Sequence, residues 1–265
     1  MKIAVAGGTG WVGRLVVEAL WDAGETPVVL ARSTGVDLTT GAGLDEALAG
    51  ACAVVDTTNV TSVGRRRSVA FFETATANLL AAGRRAGVGH HVALSIVGCD
   101  RVDLGYYLGK RRQEELVLAD GVPGTVLRTT QFHEFAARML GRGGRFALAP
   151  RQLSQPVAAR EVAVALAELA RTEPVGLAPE LAGPEQHWMP DLVRRLARAR
   201  GTRRVVVPVR VPGRAGKAMA HGGLLPAEPG PRGRITFDAW LADGAADPLS
   251  GWTSEGGAHR TAPPA

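Results

Sequence analysis

Both tyrosines and one of the three lysines of this 265-residue chain fall within five consecutive positions: Tyr106, Tyr107 and Lys110 in Gly105-Tyr106-Tyr107-Leu108-Gly109-Lys110-Arg111-Arg112. Arginine outnumbers lysine 28 to 3 in the chain, so a lysine followed by two arginines points to a need for a compact ammonium. On a helix, the i, i+4 spacing puts Tyr106 and Lys110 on one face, and Tyr107, three residues before Lys110, is also within reach. An adjacent ammonium favours phenolate, so the tyrosine pKa is expected below its ordinary ~10, which suits proton donation to a developing alkoxide. Ser95, at the end of His91-Val92-Ala93-Leu94-Ser95, is placed to hydrogen-bond the same oxygen.

Such groups need a frame. Short β-branched runs alternate with longer amphipathic segments, the pattern of parallel strands joined by crossover helices. Strands are expected at 2–6, 27–31, 52–56, 90–96 and 124–128. Helices are expected from Trp11 to just before Gly24, and at 68–86 and 106–119. This is an α/β chain with a Rossmann-type doubly wound parallel sheet, whose ligands bind at the carboxyl ends of the strands. Beyond residue 150 the alternation weakens. Helices are expected at 159–171, 190–200 and 236–242, and strands near 180–183 and 205–209, forming a small C-terminal substrate-side lobe. The organisation is residues 1–150 as the nucleotide-binding Rossmann domain, 151–250 as the lobe completing it, and 251–265 as a flexible tail. The Gly- and Pro-rich stretch 212–234 reads as a surface loop, with a lid as the alternative.

Gly7, Gly10 and Gly13 form a GxxGxxG turn directly after the first strand and at the start of the first helix. Glycines there allow a tight turn, close approach of a pyrophosphate to backbone amides, and close helix packing, with Thr9, Trp11 and Val12 supplying the intervening contacts. At the end of the second strand, Arg32 and Ser33 stand where a carboxylate would select NAD, so a 2′-phosphate and therefore NADP(H) is expected. Asp37 suits either the adenine amine or a turn cap. Phe132 and His133, just after the strand ending at Arg128, lie where a substrate pocket would be, although Phe132 and Phe135 also suit a core.

The glycine turn, the strand-end serine and the YxxxK spacing resemble the short-chain dehydrogenase/reductases, specifically the atypical, NmrA-like NAD(P)H-binding branch. Leu94-Ser95-Ile96-Val97-Gly98, Leu127-Arg128-Thr129-Thr130-Gln131-Phe132 and Gln155-Pro156-Val157 are similar to stretches of that group, and the resemblance covers about residues 1–250. It implies hydride transfer to a small carbonyl, quinone or enone, with Tyr106 as acid, Lys110 acting on the tyrosine and the ribose, and Ser95 orienting the substrate. It also places cofactor-ribose contacts at Thr57, Thr58 and Asn59. The family pattern departs in Ala6, where many extended members have threonine. Some NmrA-like relatives keep the nucleotide site without the tyrosine, so a noncatalytic redox-sensing regulator is the alternative; a nucleotide-sugar epimerase would need a larger C-terminal portion.

The formal charge of +6 invites nucleic acid as a partner, but its distribution is −4 over 1–60, +6 over 61–150 and +4 over 151–265, with no basic tail. Arg65-Arg66-Arg67 and the arginines of 194–200 lack interleaved aromatics and read as solvated faces, with one of Arg65–Arg67 approaching the cofactor as the alternative. Cys52 and Cys99 have no metal or disulfide spacing and read as small buried thiols; His90 and His91 read as structural. No run reaches the ~18–20 apolar residues of a membrane span, so a cytoplasmic protein with a small-molecule substrate is expected, with neither nucleic acid nor membrane as partner and a homodimer left open.

Overall fold

The computed structural model describes residues 1–60, 64–141 and 144–244, so the expected tail at 251–265 lies outside the described residues. Its centre is a six-stranded parallel sheet in the order β2-β1-β3-β4-β5-β8. These are β1 (Lys2–Ala6), β2 (Thr26–Leu30), β3 (Ala53–Asp56), β4 (His90–Ile96), β5 (Gly124–Thr129) and β8 (Gly176–Leu177). Every residue of β3, and Ile3 to Ala6 of β1, is buried, as expected of strands covered by helices on both faces.

On one face α1 (Trp11–Asp22) packs beside α6 (Ala159–Leu169), through Val16, Leu20, Val162 and Leu166. On the other lie α2 (Leu44–Leu48), α3 (Arg65–Ala86) and α4 (Gly105–Ala119), with Leu44, Leu48, Leu79 and Leu80 in the core beneath them. Helix α3 ends at Gly87, whose φ of 72° provides the left-handed turn that closes a helix, its amide bonding back to Arg84. The chain leaves β1 through α1 to β2 on one side, then crosses back to β3 on the other. The crevice between the carboxyl ends of β1 and β3 is therefore the topological switch point.

The second lobe has its own core of Leu140, Met189, Leu192, Leu196, Phe237 and Trp240. These residues come from α5 (Phe135–Leu140), α7 (Met189–Ala199) and α9 (Phe237–Ala242), packed on β6 (Phe146–Pro150) and β10 (Val205–Val209), which pair in parallel. A short antiparallel pair joins β7 (Leu153–Ser154) to β9 (His187–Trp188). Among the described residues, no helix is long and apolar enough to cross a membrane.

Three sequence expectations are corrected. The sixth strand is Gly176–Leu177, whereas 180–183 makes only isolated bridges, Leu181 to Thr129 and Ala182 to Arg232. Residues 212–234 are not simply a loop: they contain α8 (Gly213–Ala220), and Met219 and Leu224 bury against Val102 with Tyr107 alongside. The glycines there mark close packing, since a Cβ at Gly98 (φ +77°) would lie 2.0 Å from the Gly223 carbonyl oxygen. Cys52 is exposed, because it precedes β3 at the amino edge of the sheet, while Cys99 is buried.

Candidate active site

The glycine turn opens at the switch point. Gly7 has φ +74°, and its amide donates to the Leu30 carbonyl, tying the turn to the end of β2. A Cβ at Gly13 would fall 2.2 Å from the Gly7 oxygen, so only glycine lets α1 start this close to β1. Trp11, Val12 and Gly13 are the first residues of α1, whose amides have no acceptor within the helix, and its first turn holds no acidic side chain. Thr9 and Gly10 are exposed at the tip. Across the crevice, Thr57 Oγ1 donates to the Ala6 carbonyl at 2.8 Å, while Thr58 Oγ1 is buried with no hydrogen-bond partner among the described residues. An amide-lined turn free of carboxylate, facing an unpartnered buried hydroxyl, fits the pyrophosphate and ribose of a dinucleotide.

At the end of β2, Arg32 and Ser33 open a single 3-10 turn and are both exposed. The Arg32 guanidinium pairs with no carboxylate among the described residues. Asp37 is a turn residue: its Oδ1 accepts from the Thr39 amide at 2.8 Å and hydroxyl at 2.7 Å, which hold its carboxyl below the ordinary range. Of the two roles open to Asp37, the structure shows the cap.

Tyr106 stands at the start of α4 with its ring edge-on to Phe72, and its hydroxyl donates to Asn59 Oδ1 at 2.8 Å. Its phenol thus reaches the carboxyl edge just beyond β3. Tyr107 turns to the other side, into the α8 cluster, and its hydroxyl makes no hydrogen bond among the described residues. The structure therefore separates two tyrosines that spacing alone left equivalent.

The expected effect of Lys110 on the phenol is overturned. Burial pushes the Tyr106 pKa up, to about 12, and the cation whose field opposes this is Arg138 of α5. Lys110 Nζ instead points under the strand ends, donating to the Leu94 carbonyl at 2.9 Å, Gln113 Oε1 at 2.8 Å and the Thr58 carbonyl at 3.5 Å. Burial lowers its own pKa to about 8.

Ser95 is also corrected. It is 1% exposed and its hydroxyl donates to Glu114 Oε1, because the alternation of β4 turns Ser95 toward α4 and Leu94 toward the α1 side. Glu114 in turn receives a two-pronged pair from Arg128, Nε at 2.9 Å and Nη2 at 2.6 Å, and Arg128 Nη1 adds Asp100 at 2.8 Å. This cluster clamps α4 onto β4 and β5. It also surrounds Cys99, whose thiol pKa is pushed up to about 12, chiefly by burial.

Of the two residues expected in the pocket, Phe132 meets Trp11 edge-on at 5.8 Å between ring centroids, beside the glycine turn. His133 belongs to the second lobe: it is 1% exposed, bonded through Nε2 to the Ile235 carbonyl, and packed on Phe237 and Trp240. The sequence reading assigned no role to Gln113, Glu114, Arg128 or Arg138. A signal existed for the first two: Lys110, Gln113, Glu114 and Val117 follow an i, i+3, i+4, i+7 pattern, and all four are buried.

The chain is 33% identical to a (4-alkanoyl-5-oxo-2,5-dihydrofuran-3-yl)methyl phosphate reductase of Streptomyces griseus over 219 residues, 75% of this chain and 74% of the relative. Among solved structures it resembles an NAD-bound short-chain dehydrogenase/reductase superfamily protein of Agrobacterium tumefaciens, with TM-score 0.67 and 20% identity, covering 92% and 96% of the two chains. It also resembles an NADPH-dependent quinone oxidoreductase of Escherichia coli complexed with NADPH, with TM-score 0.61 and 20% identity, covering 84% and 88%. No protein-family model matches. The chain belongs to the short-chain dehydrogenase/reductase superfamily. It is an oxidoreductase by its kinship with that reductase, and both structural neighbours hold a nicotinamide dinucleotide in this fold.

Proposed function

We propose that this chain is a cytoplasmic NADPH-dependent reductase of a small molecule carrying a carbonyl conjugated to a carbon–carbon double bond, with an isolated carbonyl or a quinone as the related acceptors. The observation that carries this reading is the Tyr106 hydroxyl held on Asn59 at the open edge of the switch point, next to Thr58 and above Lys110. The name of the Streptomyces griseus relative describes a lactone whose ring double bond is conjugated to carbonyl groups, which is the same acceptor chemistry.

The amides of Trp11, Val12 and Gly13 hold the pyrophosphate, Arg32 and Ser33 the 2′-phosphate, and Thr58 a ribose hydroxyl. The bound nicotinamide supplies the hydride. Tyr106 keeps its proton up to about pH 12 and so remains a neutral donor across physiological pH. It gives that proton to the oxygen on which negative charge develops as hydride arrives at carbon, and Asn59 orients it. Lys110 contributes a buried positive charge beneath the strand ends, and Phe132 and Trp11 form an apolar wall. Ser95 and His133 take no part, being committed to Glu114 and to the second lobe.

Thermal unfolding in the presence of NADPH or NADH tests the cofactor, and oxidation of NADPH with enone, quinone and carbonyl acceptors tests the reaction. Greater stabilisation by NADPH and turnover with a conjugated acceptor are expected. Greater stabilisation by NADH would overturn the cofactor assignment.

A further inference from the structure

Lys110 is buried, and its three ammonium hydrogens meet three acceptors: the Leu94 and Thr58 carbonyls and Gln113 Oε1, with the Phe72 ring 4.6 Å away. It makes no direct ion pair among the described residues. The negative charge arrives through a side chain: Gln113 Nε2 donates to Asp56 Oδ2 at 2.8 Å. The other oxygen, Asp56 Oδ1, accepts the Thr58 amide at 2.9 Å, and the Thr58 carbonyl faces Lys110 again. Lys110, Gln113, Asp56 and Thr58 thus close a ring, and the next residue, Asn59, holds the Tyr106 hydroxyl.

A carboxamide suits the central position because one neutral group must accept from a cation and donate to an anion. Lysine has no acceptor and an ionised aspartate no donor, so the amide orientation is fixed from both sides. Gln113 is fully buried, which leaves no water to replace it. Leucine there would take one of the three acceptors from Lys110 and the donor to Asp56 Oδ2 together; glutamate would place a carboxylate directly on the ammonium.

We propose that Gln113 is a positioning residue of the candidate site: its carboxamide transmits the charge of Asp56 to Lys110 and locks the ammonium against the exit of β3. The placement of Lys110 in the nucleotide site rests on the function proposed above; the relay itself does not. The charged and titratable groups facing Lys110 are Asp56 from β3, Cys99 beyond β4 and Glu114 from α4. The Cys99 thiol keeps its proton to about pH 12. Burial lowers the pKa of His91, 3.9 Å from Asp56, against the pull of that carboxylate.

Lysine occurs at only three positions, so a sample labelled with 13C- and 15N-lysine gives three side-chain signals, and Lys110→Arg identifies the one of interest. Its titration midpoint in the free protein is measured for wild type, Gln113→Leu, Gln113→Glu and Asp56→Asn. Gln113→Leu and Asp56→Asn are expected to lower the midpoint, and Gln113→Glu to raise it, each by roughly one pH unit or more. A general loosening of the fold would move all three in one direction. Unchanged midpoints, or shifts of one sign only, would overturn the relay. Circular dichroism checks folding; if Gln113→Leu fails to fold, Gln113→Glu and Asp56→Asn still give the opposed shifts. NADPH affinity is then followed against pH, and its midpoint is expected to move with that of Lys110. An affinity that ignores the shifted midpoint would instead overturn the placement of Lys110 in the nucleotide site.

Discussion

The Tyr106 hydroxyl and the Asn59 carboxamide meet at 2.8 Å, joining the first turn of α4 to the chain just beyond β3. The contact brings a neutral phenol to the crevice that the glycine turn borders. Tyr107, its immediate neighbour, is drawn away by Val102, Met219 and Leu224. A single step along the helix therefore divides a candidate acid from a packing residue.

Gly13→Ala tests the turn. The added methyl would sit 2.2 Å from the Gly7 oxygen, so the turn must open and its amides lose their common focus. NADPH affinity measured by calorimetry is expected to fall roughly 100-fold, about 2.7 kcal/mol. Unchanged affinity would remove the turn from the binding site.

Arg32→Glu exchanges an exposed cation for a carboxylate at the end of β2. A charge-assisted hydrogen bond to a 2′-phosphate contributes about 1.5–3 kcal/mol, so the preference for NADPH over NADH is expected to drop at least ~10-fold. Parallel dissociation constants for the two cofactors check it.

Glu114→Ala leaves Arg128 without its two-pronged partner in a site where the arginine side chain is only 12% exposed. Removing one member of such a pair costs about 3–5 kcal/mol. Because Ser95 also loses its acceptor, chemical denaturation is expected to show a loss at the upper end of that range.

Glu134 offers a pH test. Burial raises its pKa from 4.5 to about 7, although Trp240 Nε1 donates to its Oε1 at 3.1 Å. Between these values the folded state keeps a proton that the unfolded state has released, so stability falls as pH rises through that window. Glu134→Gln removes this dependence. At pH 8 the variant is expected to be more stable by about 1–3 kcal/mol, with the advantage gone below about pH 4.5, as read from melting temperatures across pH.

The first five strands and the glycine turn were legible because buried parallel strands are short β-branched runs and because a turn between strand and helix leaves its own spacing. Beyond residue 150 the signal failed for physical reasons. β8 is two residues long, and the glycines in and around α8 permit close contact, Gly216 with Val211 and Gly223 with Gly98, so composition suggested slack where there is contact. Within the site, spacing on α4 placed Tyr106 and Lys110 on one helix face but not the direction of either polar end. Side-chain partners decide that: Lys110 has Leu94 and Gln113 beneath it, and Ser95 has Glu114. Arg138 was illegible because α5 was not recognised as a helix at all.

The most direct test compares NADPH oxidation by wild type, Tyr106→Phe and Tyr107→Phe with one conjugated carbonyl acceptor. Loss of the proton donor is expected to lower kcat ~100-fold or more in Tyr106→Phe with NADPH affinity unchanged, while Tyr107→Phe stays near wild type. Equal rates for Tyr106→Phe and wild type would contradict Tyr106 as the acid and, with it, the proposed chemistry of the site.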